Sequence, residues 1–309
     1  MNVKDMRGVW VTMVTPFDEE YRVDYSVMKD QVEWYIGRGV NGIFAVCQSS
    51  EMDLLDRAER KKIAETVVKA AAGRVPVVAS GHLSDGLEEQ LRDVESIREA
   101  GVDAVVLVTN RFAGKNEGED VFLKNLDVFL NRVDSSVSLG MYECPSPYKR
   151  LLSDREMSYC AQSGRIGFFK DTSCETERMK KRVEVTKSSG LRIFNANSAT
   201  LLQSLRDGVA GYSGVMANFH PELYGWLCRH FDDEPEKAER LSAFLSVASM
   251  SECRNYPDCA KYYMKKELPQ MGIYSRKIQE KDLPEFIKRE INSLELLTQE
   301  FRRDCGIRM

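Results

Sequence analysis

Gly101-Val102-Asp103-Ala104-Val105-Val106-Leu107-Val108 is the stretch on which the fold turns. Before it, Leu87, Leu91, Val94 and Ile97 fall at i, i+4, i+7 and i+10, one face of a helix. A glycine at a helix C-terminus ends the helix in a left-handed conformation, and the short apolar run that follows reads as a buried strand. The unit recurs. Gly39-Val40-Asn41-Gly42-Ile43 and Gly208-Val209-Ala210-Gly211-Tyr212 also follow helical stretches and open strands. Met28, Val32, Tyr35 and Ile36 make the apolar face before the first of them.

Working outward, apolar runs appear at 8–14, 42–46, 75–79, 104–108, 137–142, 166–169, 191–195 and 211–215, with amphipathic segments between them. Strands alternating with helices imply a parallel sheet. Eight of them suit an α/β fold of the (β/α)8 barrel type. The competing doubly wound sheet announces itself by a glycine-rich phosphate turn after its first strand. Here that turn reads Thr15-Pro16-Phe17-Asp18, and no Gly-x-Gly-x-x-Gly or Walker motif occurs. The barrel is therefore expected over residues 1–220, carrying the active site. Beyond it the strand signal stops. A helix over 236–248, with Leu241, Phe244, Leu245 and Ala248 on one face, and a last helix starting near Pro284 and carrying Ile287, Ile291 and Leu294, predict a helical C-terminal region over 221–309.

Composition narrows the function classes. The 309 residues are 43% hydrophobic and 30% charged, as in an ordinary globular protein. A net charge of −4 carries no global basic field for nucleic acid or an anionic membrane surface. No apolar run is long enough to span a bilayer, and Met-Asn-Val-Lys-Asp-Met-Arg holds no apolar signal core. The eight cysteines are scattered without a Cys-x-x-Cys pair, which fits free thiols in a reducing compartment. A cytoplasmic protein is expected. His82, His220 and His230 lie far apart and lack His-Glu-x-x-His spacing, so neither a metal nor another cofactor is expected.

Active sites of such barrels lie at the C-terminal ends of the strands. Those ends read Cys47-Gln48-Ser49-Ser50-Glu51, Ser80-Gly81-His82, Thr109-Asn110-Arg111-Phe112, Tyr142, Lys170, Asn195-Ala196-Asn197-Ser198 and Ser213-Gly214. Lys170 closes the run Ile166-Gly167-Phe168-Phe169-Lys170. A lysine desolvated against aromatic rings loses preference for its ammonium form. Its neutral amine then attacks a carbonyl and forms a Schiff base. Tyr142 supplies a hydroxyl to move protons. Asp171 points to the opposite face of the strand and is a poor partner for Lys170. The hydroxyls and backbone N–H groups of Ser49 and Ser50 suit a carboxylate, although loop or helix-cap roles are the commoner use of such serines. His82 reads as a loop histidine, and the basic run Arg57 to Lys62 as a solvated helix face.

Five segments in order carry a resemblance over nearly the whole chain: Val14-Thr15-Pro16-Phe17, Gln48-Ser49-Ser50-Glu51, Tyr142-Glu143-Cys144-Pro145, Gly167-Phe168-Phe169-Lys170-Asp171 and Gly214-Val215-Met216-Ala217-Asn218. The chain resembles the dihydrodipicolinate synthase / N-acetylneuraminate lyase family of Schiff-base aldolases. The resemblance implies that Lys170 forms an imine with pyruvate or a related 2-keto acid, that Tyr142 shuttles protons, and that Ser49 joins this relay. It places the keto-acid carboxylate at the backbone of Ser49 and Ser50, and Ser213 near the imine. It also implies a homo-oligomer, a tetramer or dimer.

The departures are specific. The family's Gly-(Ser/Thr)-Thr-Gly-Glu motif reads Cys47-Gln48-Ser49-Ser50-Glu51, with both glycines replaced. Pro147 stands where the synthases carry an arginine for the second substrate. Phe112 or Arg111 stands near the position of a tyrosine lent to a neighbouring subunit. Asn197 and Ser198 stand where sialic acid lyases hold sugar hydroxyls with acids, leaving Asn197 as the polar substrate contact there. The expected activity is a lyase or aldolase that makes or breaks a C–C bond next to the imine. The alternatives are a 2-keto-3-deoxy sugar acid dehydratase using the same imine and a non-catalytic keto-acid-binding protein.

Overall fold

The computed structural model describes residues 6–278 and 282–307. Eight parallel strands close into a barrel in sequence order: β1 (Gly8–Thr12), β2 (Gly42–Phe44), β3 (Val77–Ser80), β4 (Ala104–Val108), β5 (Leu139–Tyr142), β6 (Ile166–Asp171), β7 (Arg192–Asn195) and β8 (Gly211–Tyr212), with β8 returning to β1. The connecting helices are α1 (Tyr25–Gly37), α2 (Arg57–Ala71), α3 (Leu87–Arg98), α4 (Glu119–Arg132), α5 (Asp154–Gln162), α6 (Thr176–Thr186) and α7 (Leu201–Arg206). An eighth, α8 (Pro221–His230), packs back on β1 and completes the alternation. Then come α9 (Pro235–Ala248), α10 (Asp258–Lys265) and α11 (Glu285–Asp304). The family of eight strands and the late helices are those the apolar pattern predicts, with Ile287, Ile291 and Leu294 buried under α11.

Local chemistry sets the boundaries. Asp24 accepts from the N–H groups of Ser26 and Val27 and starts α1. Asp56 with Glu59, and Ser153 with Glu156, form reciprocal caps on α2 and α5. The repeated glycines Gly39, Gly101 and Gly208 take φ of +73°, +83° and +98°, the left-handed stop expected of them. Pairing in β2 ends at Phe44, earlier than the apolar run. Ala45 still donates to the Val78 carbonyl at 2.8 Å before the chain turns across the barrel top.

Register decides which side chains face inward. Directly paired residues of parallel strands point to the same side, and alternate residues share a face. The pairs Thr12↔Phe44, Phe44↔Val78, Val108↔Tyr142, Tyr142↔Lys170, Lys170↔Phe194 and Phe194↔Gly211 therefore put one continuous set inside. The floor of that interior is aromatic. Trp10 lies 5.4 Å from Phe168 and 5.5 Å from Phe194, and Phe168 stacks on Phe194 at 4.9 Å. Gly42 makes room for the indole, because a Cβ there would sit 2.5 Å from the Trp10 ring.

One expectation fails on packing. Within the run Arg57 to Lys62, Arg60 is buried and donates to the Leu55 carbonyl at 2.6 Å, and Arg57 pairs with Asp93 and Glu89 at 2.8 Å. The charge run looks solvated in sequence, but the α2 face that carries these two arginines packs against the loop before it and against α3.

Candidate active site

Tyr142 and Lys170 are paired neighbours at the tops of β5 and β6, and both point into the barrel. They are only 3% and 4% exposed. The Lys170 Nζ lies 4.6 Å from the centre of the Tyr142 ring and 5.8 Å from that of Phe44. Phe44 meets Tyr142 and Phe168 edge-on at 5.8 and 5.9 Å, so the amine stands on an aromatic base. Among the described residues no carboxylate forms a salt bridge with it. Burial holds its pKa below the ordinary 10.5, while the Cys47 and Cys144 thiols and the Glu252 carboxylate pull weakly the other way. Burial likewise raises the Tyr142 phenol well above 10, with the two thiols adding to the effect. Tyr142 thus stays a protonated hydroxyl.

The outward faces of the same two strand ends are locked by one arginine. Arg182 of α6 donates to Glu143 Oε1 at 2.5 Å and Oε2 at 3.1 Å, to Asp171, and to the Leu152 carbonyl at 2.8 Å. Glu143 follows Tyr142 and Asp171 follows Lys170. The alternation that sends the chemistry inward sends these carboxylates out to the guanidinium.

Ser49 lies in a 3-10 turn, Gln48–Ser50, across the barrel mouth. Its hydroxyl donates to Thr12 Oγ1 at 3.3 Å. Ser50 is committed to the turn itself: its Oγ accepts from the Cys47 N–H at 2.7 Å and donates to the Cys47 carbonyl at 2.7 Å. Its own N–H bonds the Cys47 carbonyl, and Thr15 Oγ1 ties the Ser50 carbonyl to the loop after β1 at 2.9 Å. A glycine at Ser50 would have no hydroxyl to make this lock. The side chains at Cys47 and Ser50 carry no backbone strain. Cys47 is extended (φ −154°), and Glu51 is the residue of this turn with positive φ, at +61°.

Ser213 follows Gly211 by two residues, which puts it on the inner face. It is fully buried, and its Oγ has no hydrogen-bond partner among the described residues. Asn197 stands at the start of α7, where its Oδ1 accepts from the Thr200 N–H at 3.0 Å. Ser198 is turned away from the barrel interior and hydrogen-bonds Tyr212 at 3.1 Å and Tyr224 at 2.7 Å. His82 is buried and stacked on Phe112 at 4.9 Å, and its Nδ1 accepts from the Val108 N–H at 3.1 Å. Burial pushes its pKa down to about 4, so it is a neutral core residue. Phe112 is likewise inside its own core, against Phe122 and Phe129.

Several site residues escaped the reading of strand ends. Phe44 and Thr12 were findable from alternation along β2 and β1. Cys47 and Cys144 lie in segments singled out in the sequence, but no cysteine spacing marks their influence on the Lys170 charge. Glu252 and Tyr256 come from the C-terminal region, where no strand pattern points to the barrel mouth. Among the described residues no group of three or more His, Cys, Asp or Glu side chains is arranged to hold a metal, and no helix is long and apolar enough to cross a membrane.

A model of the dihydrodipicolinate synthetase family matches residues 5–275. The chain belongs to the dihydrodipicolinate synthetase family. It is similar to 4-hydroxy-tetrahydrodipicolinate synthases, with 27% identity over 217 residues to that of Jannaschia sp. (70% of this chain, 72% of the relative) and 24% over 249 residues to that of Porphyromonas gingivalis (79% and 81%). In three dimensions, a prophage protein of this family from E. coli K12, solved in complex with pyruvate, matches with a TM-score of 0.85 at 19% identity, covering 96% of this chain and 99% of that one. A monomeric dihydrodipicolinate synthase variant matches with a TM-score of 0.84 at 18% identity, covering 96% and 97%. These likenesses bear on the fold, and the family membership makes the chain an enzyme of the lyase class.

Proposed function

We propose that this dihydrodipicolinate synthetase family member is a Schiff-base lyase acting on pyruvate or a close 2-keto acid, and that it makes or breaks the C–C bond at C3 of that acid. The observation that carries this is the Lys170 amine, buried 4.6 Å over the Tyr142 ring with no salt-bridge partner among the described residues. Structural lysines are seldom left in that state.

The steps follow from the geometry. The neutral amine adds to the C2 carbonyl, and the carbonyl oxygen takes the Tyr142 proton to give a carbinolamine. Tyr142 recovers a proton from the added nitrogen and returns it to the leaving hydroxyl, which departs as water. The protonated imine withdraws electrons from C3, so the Tyr142 oxyanion left by that step takes a C3 proton and an enamine forms. The enamine carbon attacks an aldehyde, whose oxygen takes that proton from Tyr142. Hydrolysis then frees the product and Lys170, and the reverse sequence is cleavage. The unpartnered Ser213 hydroxyl supports a role in holding the keto acid near the imine. Ser49 offers its hydroxyl to the same proton traffic. Ser50 serves by shaping the turn, and its hydroxyl is already engaged. Asn197 reaches substrate in this reading only through its amide nitrogen. Homo-oligomerisation belongs to the same proposal, and a strict monomer in sedimentation equilibrium would remove it.

Borohydride trapping tests the reading. Incubation with pyruvate, reduction and peptide mass spectrometry should find the adduct on Lys170. A folded protein with no adduct from any 2-keto acid refutes it. A trapped adduct with elimination of water from a sugar acid, and no aldehyde formed or consumed, would identify the dehydratase chemistry instead.

A further inference from the structure

A buried ion pair that the mechanism above does not use directly follows the turn that carries Ser49. Glu51 ends that turn and is only 3% exposed. Lys261 of α10 is fully buried, and its Nζ stands 3.5 Å from Glu51 Oε1. The other carboxylate oxygen, Oε2, accepts from the Lys277 N–H at 2.8 Å. The Lys261 Nζ in turn donates to the Tyr274 carbonyl and lies 4.8 Å from the centre of the Phe17 ring, in the loop after β1. That loop also holds the turn through the bond from Thr15 Oγ1 to the Ser50 carbonyl. The loop after β1, the turn and the segment that follows α10 therefore meet at one ion pair.

Stability alone gives little reason for this pair. Two charges lose their hydration on burial, and apolar side chains of the same volume often hold a core as well or better. What the pair fixes is conformation. Glu51 takes φ +61° and ψ +38°, a left-handed conformation that is costly for a residue with a side chain. In that conformation its N–H bonds the Gln48 carbonyl at 3.1 Å and its carbonyl accepts from the Leu54 N–H at 2.8 Å. Released from it, Glu51 would redirect the chain between the turn and α2, and Gln48–Ser50 would lose its fixed place at the barrel mouth. Burial lowers the Lys261 pKa below 10.5, and the carboxylates of Glu51 and Asp258 oppose that fall.

We propose that Lys261 is a positioning residue for keto-acid binding: by holding Glu51 in its left-handed conformation, it sets the Gln48–Ser50 turn where the substrate carboxylate meets it. This rests on the imine reading above and on the carboxylate position that the family resemblance gives. Lys261 acts through Glu51 and takes no part in proton transfer or bond formation. The C-terminal region, which supplies no strand of the barrel, thereby becomes part of the binding site. A carboxylate anchor works alike in the ground state and the transition state, so its loss should appear in binding and leave the chemical step nearly intact.

The test follows borohydride trapping of Lys170 as the pyruvate concentration is varied. Lys261→Met keeps most of the volume and removes the charge. Its half-saturation by pyruvate should rise by about tenfold or more, the worth of one hydrogen bond to a charged group, while trapping at saturation stays within about threefold of wild type. Glu51→Gln, of nearly the same shape, should shift half-saturation in the same direction. The double variant should do no more than the worse single one, because both act through one contact. Arg302→Met breaks a different buried pair, with Glu222 at 2.5 Å between α11 and α8, and matches the loss of stability. Its half-saturation should stay at the wild-type value. If Lys261→Met does not fold, Glu51→Gln carries the test. An unchanged half-saturation in the folded variant overturns the proposal. So does an equal rise in Arg302→Met, which would mean general loosening of the barrel. The two failures separate cleanly: a wild-type adduct with unchanged half-saturation in the variants sinks the positioning role alone, whereas no wild-type adduct sinks the imine reading and the positioning role with it.

Discussion

Replacing Arg182 with methionine is the sharpest test of how the barrel holds its chemistry. The guanidinium bridges Glu143 and Asp171, and all three side chains are buried. Arg182→Met keeps most of the volume and strands two carboxylates. Removing one partner of a buried ion pair costs about 3–5 kcal/mol. The upper end is not expected, because each carboxylate keeps other donors. Glu143 retains the N–H groups of Leu152 at 2.8 Å and Thr172 at 3.1 Å, and Asp171 retains Ser173 N–H at 2.8 Å. A loss of about 3–4 kcal/mol corresponds to roughly 6–12 °C in melting temperature. The pH dependence gives a second handle. Burial already raises the Glu143 pKa above 4.5 against the pull of Arg182, and without the arginine it rises further. A raised folded-state pKa means that the folded protein binds the proton more readily than the unfolded chain. The variant's deficit should therefore be full above the folded pKa of Glu143 and shrink as the pH falls toward 4.5. Urea denaturation at several pH values measures both. A deficit below about 1 kcal/mol at neutral pH, or one that grows on acidification, would refute the account. Turnover, measured well below the melt, should fall at least about tenfold, because Glu143 and Asp171 adjoin Tyr142 and Lys170 and small misplacements of reacting groups are costly.

Other outcomes follow from the same contacts. Lys170→Met should abolish turnover and the borohydride adduct while folding normally. The wild-type amine has a depressed pKa, so wild-type stability rises with pH between that value and 10.5. Any stability advantage of Lys170→Met at neutral pH should thus shrink as the pH approaches 10.5, and an advantage that widens would contradict the burial argument. Tyr142→Phe should cost on the order of 10²–10⁴ in rate with little change in melting temperature, and an unchanged rate would take Tyr142 out of the proton chemistry. Gly42→Ala places a Cβ 2.5 Å from the Trp10 ring and should destabilise by about 1–3 kcal/mol, read by thermal melting.

Sequence periodicity sufficed for the architecture. Side-chain spacing records which faces are apolar, and the repeated glycines of Gly39, Gly101 and Gly208 record where helices must stop. Both are local properties, legible without any long-range contact. The strand-end rule led to Lys170, Tyr142 and Ser213, because position on a barrel strand fixes both height and direction. Family resemblance added roles that no spacing could supply.

What lay outside the sequence was everything set by contact between distant segments. Nothing local shows that Arg60 is buried, that Arg182 closes on two carboxylates 39 and 11 positions away in the chain, or that the Ser50 hydroxyl is spent on its own turn. Tyr256 is the clearest case. It lies in a region with no strand signal, and its sequence neighbours suggest nothing catalytic. Only the folding of the C-terminal segment over the barrel mouth brings its hydroxyl to the Asn218 amide, at 3.2 Å. Local sequence determines secondary structure because backbone preference and amphipathic period act over a few residues. A site depends on where side chains from remote segments meet, and tertiary packing alone decides that.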